Sequence, residues 1–426
     1  MEQLARRLGV PDAVVIGLGS MLGAGVFVVF APAAAAAGGP GLLVALAVAG
    51  FIAYCNATSS ARLAARYPES GGTYVYGRER LHPFAGFLAG WGFVVGKTAS
   101  CAAMALTVGA YLWPGRARLV AVLAVVAVTA VNLRGIGKTA TATRVLVAVV
   151  LTVLAVVAVT GAPQVAADRL TAPTGIGVGG VLTAAGLLFF AFAGYARIAT
   201  LGEEVRDPER TIPRAVPLAL GAVLAIYLTL AVVALGVLGA DRLASTDAPL
   251  VEVVTAAGHP GLAWLVRAGA AVAVTGVLLS LLAGVGRTML AMARRHDLPG
   301  ALAAVHPRHR VPHRAELAAA AVVAVVVTVG DIRGAIGFSS CTVLVYYAIT
   351  NASALTLGPA PDRRVPVRLL AALGLVGCLV LAVNLPLPSV LAGFGVLTLG
   401  ALGYAVRSRR RPAGRGPAAR DAPGRP

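Results

Sequence analysis

Charge is scarce in this 426-residue chain: Asp, Glu, Lys and Arg together make up 12% of it. A soluble domain carries about 25%, so the composition excludes one large soluble globule. Cysteine occurs four times, at 55, 101, 341 and 378, with neither the paired spacing of a metal site nor the external placement of a disulfide framework. These four read as packing residues. The six histidines, His82, His259, His296, His306, His309 and His313, stand in loops or at the ends of apolar runs without metal-ligand spacing. No Walker-type phosphate loop is present, which argues against a nucleotide-driven pump. A membrane-embedded enzyme would need acids or histidines clustered at one face, and none stands out. Lysine occurs only at 97 and 138, against 34 arginines, a codon bias that points to a GC-rich bacterial genome.

What is abundant is apolar sequence, 58% of the chain, in blocks of about 20 residues, the length that crosses a hydrocarbon core. Twelve spans are predicted: 13–37, 42–62, 83–112, 119–133, 145–160, 179–201, 213–238, 262–293, 317–329, 335–357, 367–383 and 389–406. Residues 1–12 read as a cytoplasmic N-terminus, 13–406 as one membrane domain, and 407–426, rich in Arg, Pro, Gly and Ala, as a disordered cytoplasmic tail. The first span contains Ala31-Pro32-Ala33 but is too long for a signal peptide, so it is expected to be retained. The formal net charge of +19 does not imply nucleic acid, because the charge is sided. With the N-terminus inside, only Arg116, Arg118, Arg169, Arg242 and Arg333 fall outside, and Lys97, Arg197 and Arg267 fall within spans. That is the positive-inside pattern of a multi-pass cell-membrane protein with both termini in the cytoplasm. All 17 acidic residues fall in or near loops. None is expected at mid-membrane.

The most informative run is 16–27, where Gly17, Gly19, Gly23 and Gly25 crowd a span-length segment. Glycine lets a helix unwind and lets other groups approach its backbone, so a break is expected here. Close helix packing is the competing reading. The sixth span, through Phe189, Phe190, Ala191, Phe192, Ala193, Gly194, Tyr195, Ala196 and Arg197, is interrupted at the corresponding place of the second group of five spans. Two such segments point to an inverted-repeat transporter with its site near the midplane.

Four stretches resemble the amino acid–polyamine–organocation superfamily of transporters: 19–27; 187–213, with Glu203-Glu204-Val205-Arg206-Asp207-Pro208; 66–76, Arg-Tyr-Pro-Glu-Ser-Gly-Gly-Thr-Tyr-Val-Tyr; and 287–307. The resemblance implies an all-α, leucine-transporter-type fold. Its spans one to five (13–160) and six to ten (179–357) are inverted repeats, with two peripheral helices (367–406). It also implies a permease importing or exchanging amino acids or amines by alternating access.

An amino acid presents a carboxylate and an ammonium, and a broken helix offers N–H groups for one and C=O groups for the other. The carboxylate is expected at the N–H groups of Gly23, Ala24 and Gly25, and the ammonium near the carbonyls of Ser20, Met21, Phe190 and Ala191, with Gly194 at the second interruption. Phe189, Phe190 and Phe192 are candidates to wall or close the pocket, with lipid or core packing as the alternative. Tyr195, Glu203 and Glu204 are gate candidates, although ion pairing of the two acids with Arg197, Arg206 or Arg210 is the plainer role. Many family members carry Ser or Thr where this chain has Ala24, and Asp, Glu or Asn where it has Ala196. Recognition is therefore expected to rest on backbone, and a small or neutral amino acid is favoured over a cationic one or a polyamine.

No lysine occurs in 145–159, where some relatives carry one in place of sodium. Lys97 is the one intramembrane ammonium, sharing a helix face with Ser100, Cys101, Met104 and Tyr111. It is either the group that couples transport to protons or a fixed ammonium on backbone carbonyls. Thr275, Ser280 and Thr288 offer few hydroxyls to sodium, so proton coupling is expected, without cofactor or metal. The partners expected are an amino acid and membrane lipid. Exchange, cationic substrates and a non-transporting sensor or accessory subunit remain the alternatives.

Overall fold

The computed structural model describes residues 8–67, 71–135, 140–171, 177–199, 205–358 and 367–410. Among these the chain is helical, with one isolated backbone bridge that ties Leu8 to Val205. The helices are α1 Val10–Met21, α2 Ala24–Val28, α3 Phe30–Arg66, α4 Thr73–Arg80, α5 Pro83–Leu112 and α6 Ala117–Leu133. They continue as α7 Ala140–Gly161, α8 Ala167–Thr171, α9 Val178–Phe192, α10 Ala196–Ala199, α11 Pro208–Ser245 and α12 Pro249–Ala256. The last are α13 Ala263–Arg294, α14 His313–Val329, α15 Ile332–Leu355, α16 Val367–Val383 and α17 Leu387–Arg410. Lipid leaves no water to bond a stray N–H or C=O, so apolar segments of this length close their own hydrogen bonds as helices. Nine helical stretches among the described residues are long and apolar enough to cross a membrane, and α1 and α16 are shorter apolar helices.

The two longest helices, of 37 and 38 residues, each carry a break. Gly38 in α3 has φ 67° and ψ −166°, followed by Pro40. Gly239 in α11 has φ 75° and ψ 168°. A positive φ suits glycine alone at no steric cost, and in both places the chain leaves one helical segment and enters another.

The largest packed faces join α3 to α9 and α11, and α5 to α13 and α15. Two buried hydroxyl pairs join helices: Thr73 of α4 with Thr350 of α15 at 2.7 Å, and Ser100 of α5 with Ser339 of α15 at 2.6 Å. All four cysteines are buried and free.

Candidate functional site

The glycine run does break its helix. α1 ends at Met21; Leu22 (φ −78°, ψ 56°) and Gly23 (φ −115°, ψ −143°) leave helical geometry. The helix resumes at Ala24 and runs into α3 through helical Val29, with Ala33 N–H donating to Val29 O at 3.2 Å. A helix start leaves its first N–H groups without intrahelical acceptors, so Ala24 and Gly25 present such groups. Gly23 does not: its N–H donates to Met21 O at 2.8 Å.

The second interruption is milder than a break. α9 tightens into a 3-10 turn at Ala193–Tyr195, with Ala193 (φ −62°, ψ −4°) and Ala196 (φ −53°, ψ −26°) still helical. The physical reason lies in the crossing of the two segments. A Cβ at Gly25 would fall 2.6 Å from Ala191 Cα, and one at Gly194 would fall 2.6 Å from the carbonyl carbon of Ser20. Each glycine lets the other segment's backbone come close.

Tyrosine hydroxyls satisfy carbonyls around this crossing. Tyr227 of α11 places its hydroxyl 2.7 Å from Met21 O and 3.1 Å from Ala191 O. Tyr347 of α15 donates to Ala193 O at 3.2 Å. Two of the four carbonyls expected to meet an ammonium, those of Met21 and Ala191, therefore already have a donor. Sequence reasoning missed Tyr227, yet a phenol inside an apolar run must find a partner for its hydroxyl, and that was the available signal.

Around the crossing lies a cavity of about 570 Å³. Ser20, Met21, Gly23, Ala24, Gly25, Phe190, Ala191 and Gly194 line it, together with Lys97. Phe189, Phe192 and Tyr195 do not. Phe189 packs edge-on against Tyr347 (centroids 5.5 Å), and Phe192 packs at a tilt against Tyr227 (5.2 Å). Tyr195 is fully buried against Tyr347 at 5.1 Å, and its hydroxyl has no hydrogen-bond partner among the described residues. Glu203 and Glu204 lie outside the described residues. So does the tail from 411 onward.

Lys97, 7% exposed, stands on the cavity wall with Ser100 and Met104, as its helix face predicted. Cys101 and Tyr111 turn elsewhere, and Tyr111 donates to Phe27 O at 2.7 Å. Among the described residues no ion pair includes Lys97. Arg287 and Arg310 also line the cavity, as does Arg197, and among the described residues the lining holds one carboxylate, Glu316. Glu316 was expected near a solvated loop; it is instead 2% exposed. Its first-turn position on α14 brings its Cγ over Gly286, where a Cβ would fall 2.6 Å from it.

Toward α4 and the segment before α14, Gly71, Tyr74, Arg310 and Pro312 take part in the lining. Here Tyr74 donates to Asp297 Oδ2 at 2.6 Å and Arg78 donates to the same oxygen at 2.7 Å, with Asp297 3% exposed. Burial, then the adjacent Asp297 carboxylate, pushes the Tyr74 phenol up, so it stays protonated and keeps donating. Two motif stretches noted in the sequence, 66–76 and 287–307, thus meet at this clamp. Further along α5, outside the cavity lining, Phe27 and Tyr111 pack edge-on at 5.7 Å, and Arg267 donates to Tyr111 O at 2.9 Å.

The model of the amino acid permease family matches residues 12–362. An uncharacterized transporter of Mycobacterium tuberculosis is 64% identical over 408 residues, covering 95% of this chain and 92% of its own. The branched-chain amino acid permease of Bacillus subtilis is 28% identical over 336 residues, covering 73% of this chain and 72% of its own. A vacuolar cationic amino acid transporter of Arabidopsis thaliana is also 28% identical, over 86% of this chain and 62% of its own length.

Proposed function

Because this chain belongs to the amino acid permease family, we propose that it is a secondary active transporter of small or apolar neutral amino acids, working by alternating access in a bacterial cell membrane. The observation that carries this reading is the shared cavity: the broken first segment, the tightened α9 and Lys97 all open onto it. The twelve-span, five-plus-five inverted repeat is supported by division of α3 at Gly38. That division gives twelve segments: α1 and α2 with the first part of α3, the rest of α3, α5, α6, α7, α9 with α10, α11, α13, α14, α15, α16 and α17. Both termini in the cytoplasm follow from the sidedness of Arg and Lys. The cavity's lined end is then the inward one.

The substrate class follows from the charge on the wall. Among the described residues Lys97, Arg287 and Arg310 line the cavity with one carboxylate, Glu316, and that excess disfavours a ligand with a second positive charge. Relatives named for branched-chain and for cationic amino acids stand at the same 28% identity, so their names do not separate the two, whereas the charge favours the neutral class. An amino acid's carboxylate would meet the N–H groups of Ala24 and Gly25, and Phe190 would face its side chain. Lys97, without an acidic partner among the described residues, is the coupling group of a proton-driven cycle.

Purified protein in proteoliposomes, offered radiolabelled leucine, alanine and lysine under imposed pH and sodium gradients, tests this. Accumulation of a neutral amino acid driven by the pH gradient is expected. A folded protein that binds amino acids and moves none would be a sensor or accessory subunit instead.

A further inference from the structure

We propose that Glu316 is the proton-release group of this cavity, and that His313 carries the proton from it to the surface of the loop that precedes α14. The inference rests on the proton-coupled transport reading. Its starting point is a conflict in the structure: Glu316 is 2% exposed and lines the cavity, yet its Oε2 is buried with no hydrogen-bond partner among the described residues. An ionised carboxylate in that state is costly, and taking up a proton removes the charge. Arg287, the residue after Gly286 on α13, is the nearby charge that favours the ionised form. The group therefore has one influence toward each state, which a proton carrier requires.

The other groups around it are few. α14 packs against α5, α6, α13 and the short turn Gly300–Ala303. From α5 the cavity receives Lys97, from α6 the neutral Asn132, and from the segment before α14 Arg310; the turn itself has no titratable side chain. Lys97 and Glu316 are close in depth. Gly90 of α5 faces Met292 of α13; Lys97 lies about 10 Å further along α5, and Gly286, under Glu316, lies about 9 Å back along the opposed α13. A proton leaving the Lys97 side of the cavity meets Glu316 without travelling the length of the membrane.

The exit is the second half of the case. His313 lies three residues before Glu316, on the same helix face, and its Nδ1 is buried with no partner among the described residues. Its ring stands edge-on to His306 at 5.6 Å, and His306 lies 4.9 Å from His309. His306 Nδ1 accepts the backbone N–H groups of Arg308 (3.3 Å) and His309 (3.2 Å), so it is held in place and orients His313 rather than taking the proton. In the step itself water links the two groups, which make no direct hydrogen bond to each other: the O–H bond of Glu316 breaks as its proton enters the water, and the water gives up a proton as an N–H bond forms at His313 Nδ1. The imidazolium then gives its Nε2 proton to loop-side water, leaving a carboxylate at Glu316 and a neutral imidazole that resets by tautomer exchange.

The test uses the full-length protein in proteoliposomes, with two readouts: accumulation driven by a pH gradient, and counterflow exchange of the same amino acid with no gradient. For Glu316→Gln, a neutral isostere of the protonated acid, accumulation is expected to fall at least tenfold while counterflow persists. His313→Gln is expected to slow accumulation and to change its pH profile. Accumulation by E316Q equal to wild type overturns the inference. Should E316Q be inactive in both readouts, the H313Q profile decides, and an unchanged profile overturns it. Wild-type counterflow without pH-driven accumulation overturns proton coupling and this inference but leaves transport standing. Wild-type protein inactive in both readouts overturns the transport reading as well.

Discussion

The crossing of the two interrupted segments makes a quantitative demand at Gly25. A Cβ there would fall 2.5 Å from Ala191 Cβ and 2.6 Å from Ala191 Cα, closer than any ordinary contact, and the obstacle is partly backbone, which cannot rotate away. Overpacking of this kind costs about 1–3 kcal/mol. Alanine's better helix propensity returns up to about 1 kcal/mol, so Gly25→Ala is expected to destabilise by roughly 0.5–2 kcal/mol. Gly221 of α11 is the control, because a Cβ added there meets nothing within 4 Å. Gly221→Ala is expected to be neutral or stabilising by up to about 1 kcal/mol. The same substitution thus has opposite signs at two sites. Thermal unfolding in detergent reads the difference, and uptake kinetics read its consequence: G25A alone should raise KM, since its added methyl displaces the first-turn N–H groups proposed to hold the carboxylate. If G25A matches G221A in both melting temperature and KM, the two segments do not cross as described, and the site built on that crossing fails.

Tyr227→Phe removes the hydroxyl shared by Met21 O and Ala191 O; Met21 O keeps Gly23 N–H, but a buried hydrogen bond lost at Ala191 O costs about 1–3 kcal/mol, so a lower melting temperature and weaker substrate binding are expected, and wild-type values in both would deny Tyr227 its role. Lys97→Ala is expected to abolish accumulation driven by a pH gradient while counterflow exchange continues; retained accumulation would make Lys97 a structural ammonium. Asp12 is held below the usual carboxylate range, first by the hydrogen bond from Arg144 and then by that from Gly9 N–H. A depressed folded-state value means that this stabilisation is present above the unfolded carboxylate range, near pH 4, and is lost as pH falls further. Melting temperature followed from pH 6 to pH 3 should therefore drop less in Asp12→Asn than in wild type, with a small difference because Arg144 is 56% exposed; parallel curves would count the pair as inert.

Much of the architecture was legible because it follows from solvent alone. Apolar blocks of membrane length must be helical, and a glycine-crowded block such as 16–27 is the one that can open. The interior of the site was less legible. Three neighbouring phenylalanines could not be told apart by composition, yet the helix period separates them: Phe189 and Phe192 share one face, while Phe190 lies four residues before Gly194 and so shares the cavity face with it. Glu316 was hidden for another reason. Its place beside a basic loop reads as solvated, and only the missing side chain of Gly286, thirty residues earlier in sequence, lets α14 bring it inward. Contacts of that range leave no local trace.

The asymmetry of the break sharpens what it can recognise. A broken helix offers donors at one end and acceptors at the other, and in the abstract either charge of an amino acid could be the one it holds. Here Tyr227 and Gly23 N–H already bond Met21 O, and Tyr227 also reaches Ala191 O. Half of the expected acceptors are therefore internal, while Ala24 and Gly25 begin a new helix whose first N–H groups lack intrahelical partners. The helix dipole adds partial positive charge at the same point, and Lys97, Arg197, Arg287 and Arg310 add more around the cavity. Among the described lining residues Glu316 alone favours a second cation, and Lys97, Arg287, Arg310 and the dipole outweigh it in favour of an anionic group. The proposed specificity for neutral amino acids thus follows from which half of the break the protein has left for a ligand, and a carboxylate is the part of the substrate that half can hold.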